Sequence, residues 1–113
     1  MDKRSLEIAR QLKKDIEKNL SKGSTSGGNV IDMRIFGSRA RDDFEKDSDL
    51  DIFIELEKNN PEIRKIIGHL TWKFGFENGF VITTIIFTRD ELENGPMKYS
   101  PIYRSIERDG IEV

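Results

Sequence analysis

Gly37-Ser38 closes an apolar, strand-like run, and after ten intervening residues Asp49-Leu50-Asp51 opens another. A glycine lets backbone approach a phosphate with no Cβ in the way, and a serine beginning a short helix offers its hydroxyl and exposed N–H groups to an anion. Asp49 and Asp51 alternate onto one face of a strand, opposite Leu50 and Ile52. Two carboxylates held side by side repel each other unless a cation neutralises them. Hard oxygen donors of this kind select magnesium or manganese, whose shell is completed by water and substrate phosphates. Gly37 and Ser38 are thus candidates to hold a triphosphate, and Asp49 and Asp51 to ligate metal and draw charge off a leaving pyrophosphate. Arg39 and Arg41 are candidates for phosphate contact, because a guanidinium fork matches phosphate oxygens; both also suit a solvated rim.

The elements that must position these residues follow from periodicity. Leu6, Ala9, Leu12, Ile16 and Leu20 recur every three or four residues, which predicts an amphipathic helix over 3–22 that stops at Gly23. A Gly/Ser-rich loop over 24–29 leads to a strand over 30–36 with Ile31, Met33 and Ile35 inward. A second strand spans 49–56, where Ile52, Ile54 and Leu56 alternate with Asp51, Phe53 and Glu55. Asn60-Pro61 provides an N-cap and a proline at the first helical position. The helix it starts has a core stripe of Ile63, Ile66, Ile67, Leu70 and Phe74 and closes at Gly75 to Gly79. Residues 80–87 are a nearly continuous apolar run, expected to be a central strand buried on both faces. Thr88 to Glu91 reads as a capping box, and Ser100-Pro101 starts a last helix that ends at Gly110. The sum is an α/β fold, a small mixed sheet of three strands backed by helices on one face, with the open face carrying the site.

At 113 residues the chain is expected to form one domain, 1–113, around one core. Its 19 basic and 21 acidic residues leave no electrostatic footprint for duplex nucleic acid, so a nucleotide is the better ligand. The absence of cysteine excludes disulfides and thiolate metal sites. No apolar run reaches membrane-spanning length and the start lacks a signal-peptide core, so the chain reads as cytoplasmic with no membrane partner.

Gly37-Ser38-Arg39-Ala40-Arg41 followed by Ser48-Asp49-Leu50-Asp51-Ile52 resembles the signature of the DNA polymerase β-like nucleotidyltransferase superfamily, in its smallest, single-domain branch. The match is close in the middle of the chain and loose elsewhere. It implies a polymerase β-like nucleotidyltransferase fold and transfer of a nucleoside monophosphate from ATP or another triphosphate, with AMP the first expectation, alongside Mg2+ or Mn2+. For the small stand-alone members it implies a protein acceptor, a companion helical HEPN-domain toxin. The chain departs from the family pattern twice. Asp42 stands where a glycine is usual, a change expected to reshape only the loop. The strand that ordinarily carries a third carboxylate has none, and the corresponding position most resembles Thr83, which is neither a strong magnesium ligand nor a base at neutral pH. Either another acid such as Asp32 fills the role, although an ion pair between Asp32 and Arg34 is the plainer use of it, or the protein is a catalytically impaired module that binds a nucleotide or a partner.

Two further patterns remain open at this level. His69, Trp72 and Phe76 share the side of their helix opposite its core stripe, either as a partner surface or as a face covered by another helix. Nine acids against two bases between Asp42 and Glu62 make a solvated stretch from which only Asp49 and Asp51 are assigned to metal. A chain lacking an acceptor-binding domain requires a partner, and a homo-oligomer is one option.

Overall fold

A computed structural model describes residues 1–21, 28–45 and 47–113. Helix α1 (Lys3–Asn19) begins at Asp2, whose carboxylate accepts from the Ser5 N–H, and ends at Leu20. The expected stop at Gly23 and most of the Gly/Ser-rich loop lie outside the described residues. Strand β1 (Val30–Phe36) runs into a single helical turn, α2 (Gly37–Ala40), and β2 covers Leu50–Leu56. Helix α3 (Pro61–Asn78) is capped by the Asn60 side chain, has Pro61 in its first turn, and closes at Gly79 in the left-handed conformation. Strand β3 (Ile82–Thr88) leads directly into α4 (Arg89–Asn94) through the Thr88–Glu91 capping box. A 3₁₀ turn (Pro96–Tyr99), α5 (Pro101–Asp109) and a two-residue strand, β4 (Ile111–Glu112), complete the chain.

The four strands lie in the order β3-β2-β1-β4, with β1 antiparallel to β2 and β4 and with β2 parallel to β3 across the α3 crossover. This is the small mixed sheet expected of the sequence, one strand wider because β4 is too short to carry a period. Leu50, Ile52, Ile54 and Leu56 of β2 and Met33 and Ile35 of β1 face α1 and α3. There they meet Ala9, Leu12, Ile16, Ile63 and Ile67 in the main core. On the other face Phe53 and Phe87 pack with Leu92 and Ile106, so α4 and α5 cover one end of that face and leave the Asp51 end open. Burying an aliphatic side chain of this size contributes about 1.5–3 kcal/mol, which is why the alternation in β2 fixes its register.

Two strand expectations are corrected. A bulge between Val30 and Asp32 disturbs the alternation at Ile31, so Val30, not Ile31, packs on the core beside Met33 and Ile35. The apolar run into β3 is an edge strand, not a central one. Within the strand, Ile82 and Ile86 pack under α3 on one face and Ile85 and Phe87 on the α4–α5 cluster on the other, so packing between two layers accounts for the run. No helix among the described residues is long and apolar enough to cross a membrane.

Candidate active site

The open end of the sheet gathers the end of β1, the start of β2 and the start of β3. In the β1–β2 register Phe36 lies opposite Asp51, and in the parallel β2–β3 register Asp51 lies opposite Thr83. The chain must turn sharply after Phe36, and Gly37 does so at φ +73°, a conformation that side chains rarely adopt. A Cβ on Gly37 would sit 2.3 Å from Asp51 Oδ2. The glycine is therefore required twice over, by the backbone and by the carboxylate resting on it. The other oxygen of Asp51, Oδ1, accepts from the Thr83 hydroxyl. Asp49 lies one residue before β2 and is exposed, while Ser38 follows Gly37 in the first turn of α2. First-turn N–H groups have no intrahelical partner, so those of α2 are available to an anion.

Arg39 and Arg41 have separate fates. Arg41 sits on the rim, half-exposed, with its Nε 3.3 Å from Asp43 Oδ2. Arg39 is turned inward and only 4% exposed. Its guanidinium donates to the Ser48 carbonyl at 2.6 and 3.1 Å and to Ser5 Oγ at 2.9 Å, and it lies 4.7 Å from the Phe44 ring centre and 4.4 Å from that of Phe80. The phosphate contact expected of Arg39 is thus replaced by a positioning role: it ties α1 and α2 to the loop that delivers Asp49. One signal for this was available in the sequence. Ser5 falls on the helical stripe that continues through Ala9, Leu12 and Ile16, and a buried hydroxyl there needs a partner. The pairing with Phe44 and Phe80 left no pattern. Replacing Arg39 with alanine is expected to cost about 3 kcal/mol by leaving buried acceptors unpaired and losing the stacking. Urea unfolding measures this, and an unchanged midpoint would contradict the positioning role.

Asp42, in the family's glycine position, has φ +60°. Aspartate is among the few side chains that tolerate this region, so the backbone keeps the left-handed conformation that a glycine would supply. Asp32 does share the site face, but it pairs across from Glu55, four residues along β2 from Asp51, or roughly 13 Å at a strand's rise. Its carboxylate binds Arg34 Nε at 2.9 Å. It serves a separate charge cluster, in which burial and then repulsion from Asp32 raise the Glu55 pKa above the usual carboxylate value. Asp32 is therefore no third partner for Asp49 and Asp51. Among the described residues no group of three or more His, Cys, Asp or Glu side chains is placed to hold a metal.

A family model for the nucleotidyltransferase domain matches residues 9–111, nearly the whole chain. The chain belongs to the nucleotidyltransferase domain family. Domains of this family generally use a nucleoside triphosphate and a divalent metal ion. The crystal structure of a Sulfolobus solfataricus protein provisionally designated a nucleotidyltransferase aligns with 22% identity and a TM-score of 0.43, over 99% of this chain and 87% of that one. That likeness is too loose to carry functional detail. No curated protein matches the chain.

Proposed function

We propose that the chain, as one domain over residues 1–113, is a minimal nucleotidyltransferase that moves a nucleoside monophosphate from a triphosphate to a protein acceptor. The observation that carries this reading is the contact between the left-handed Gly37 turn and the Asp51 carboxylate, with Thr83 on that carboxylate's far side. Adenine as the base, and a companion HEPN-domain toxin as the acceptor, rest on resemblance to the small stand-alone members.

A divalent ion fits these donors. Asp49 and Asp51 are hard oxygen ligands at the open end of the sheet, and Gly37 leaves clear the space beside Asp51 Oδ2 that any side chain would fill. The two carboxylates would hold magnesium or manganese, which when bound supplies charge neutralisation to the phosphates. Gly37 and Ser38 orient the triphosphate through first-turn N–H groups, and Arg41 reaches it from the rim. The acceptor oxygen bonds to the α-phosphorus as the bond from that phosphorus to the bridging oxygen breaks, and pyrophosphate leaves with the electron pair. Thr83 stands where a carboxylate could take the acceptor's proton, so that proton passes to water and transfer is slow. The Thr83 hydroxyl held on Asp51 also supports a second reading, an impaired nucleotide-binding or partner-binding antitoxin-like module.

Calorimetry with ATP and magnesium tests the site itself. Asp49→Asn combined with Asp51→Asn is expected to weaken binding roughly tenfold or more, as loss of charge-assisted contacts of at least about 1.5 kcal/mol would. Equal binding by wild type and variant would remove the assignment.

A further inference from the structure

The outer border of the sheet, at β3, carries two features that the nucleotide site does not use. Among the described residues no strand pairs with the outer edge of β3. Edge strands are ordinarily guarded by charges, proline or bulges, yet Ile82–Thr88 holds no charged residue and no proline and keeps an unbroken register with β2. Beside its start, α3 presents Trp72 and Phe76, 65% and 76% exposed, their rings stacked 5.5 Å apart at 16°. With Val81, 59% exposed, they line a groove of about 310 Å³ between α3 and β3. The apolar face of α3 beyond its core stripe is therefore open, and no helix among the described residues covers these side chains.

We propose that this border is the twofold interface of a homodimer. One operator satisfies both features. An axis normal to the sheet beside the start of β3 sets β3 antiparallel to the β3 of a second copy, pairing their edge N–H and C=O groups. The same axis sets α3 antiparallel to the second α3 on the same face, where the Trp72–Phe76 pairs meet. A foreign helix would cover the rings and leave the edge unpaired. Such an interface is isologous, the same patch of each copy meeting itself. The area is of the right order. Taking about 150–250 Å² for a whole aromatic side chain, the two exposed rings offer roughly 300 Å² per copy. Both copies together thus supply about half of the roughly 1,200 Å² at the lower end of stable interfaces, and Val81 and the strand edges supply the remainder.

Sedimentation equilibrium of the full chain tests this, supported by hydrogen exchange at low and high concentration. The expected species has twice the 13.1 kDa chain mass, with β3 amides more protected as concentration rises. Phe76→Ser is expected to weaken self-association by roughly thirtyfold or more, as loss of a central aromatic does. Trp72→Ser, beside it on the same groove, is expected to weaken it by a similar factor. Both side chains are exposed, so circular dichroism should show each variant folded. A 13.1 kDa species at every concentration, or a dimer indifferent to both variants, would overturn the proposal.

Discussion

Gly37→Ala is expected to lower the melting temperature and weaken nucleotide binding together, although it adds a single methyl group. An alanine held at φ +73° is strained by about 1–3 kcal/mol. Its Cβ would also stand 2.3 Å from Asp51 Oδ2, closer than real Cβ contacts come, so the carboxylate must swing away. At about 2 kcal/mol the melting temperature of a chain this size falls by roughly 8 °C or more, which a thermal scan resolves. A displaced carboxylate is no longer placed to share a metal ion with Asp49, so ATP affinity measured with magnesium should fall by roughly tenfold or more, as for loss of the carboxylates themselves. Alanine tolerated at full stability and full affinity would mean that the contact between the turn and Asp51 is incidental.

Thr83→Asp is expected to raise nucleotidyl transfer by about a hundredfold, the scale of a positioned general base. Thr83 is the register partner of Asp51 across two parallel strands and its hydroxyl already reaches the Asp51 carboxylate. An aspartate there therefore stands on the same face within contact of the existing pair. The gain carries a cost in the absence of metal, because three neighbouring carboxylates repel, and the apo variant should be less stable than wild type at neutral pH. Incorporation of labelled nucleotide into a companion protein, or into the chain itself, reads the first effect, and urea unfolding with and without magnesium reads the second. Unchanged or lower transfer, with metal and acceptor present, would show that Thr83 is not the missing ligand position. It would favour the impaired binding module.

The sequence exposed the candidate site more completely than the sheet that carries it. Gly37 stands out in the sequence as a residue without a Cβ beside a serine at the end of an apolar run, and Asp51 because it alternates with isoleucines whose burial fixes the strand; the left-handed turn at Gly37 is visible only in the structure. The Asn60 and Thr88 caps and the Gly79 and Gly110 stops were legible for the same local reason, since each satisfies backbone groups within a few residues. What stayed hidden depends on long-range placement. An apolar run does not distinguish an edge strand under two helix layers from a central strand, so it does not place β3 within the sheet. Arg39 carries the same charge as Arg41, two residues away, and nothing in a linear pattern says that one of them folds back between Phe44 and Phe80. The bulge at Ile31 and the two-residue β4 are too short to disturb or create a period.

Diffraction from crystals grown with manganese and a non-hydrolysable ATP analogue shows whether the paired aspartates hold metal beside the turn. An anomalous peak is expected within ligand distance of Asp49 and Asp51, with the triphosphate seated on the Gly37-Ser38 turn. Manganese and nucleotide bound elsewhere, with the Asp51 carboxylate still resting on Gly37 and touching neither, would contradict it.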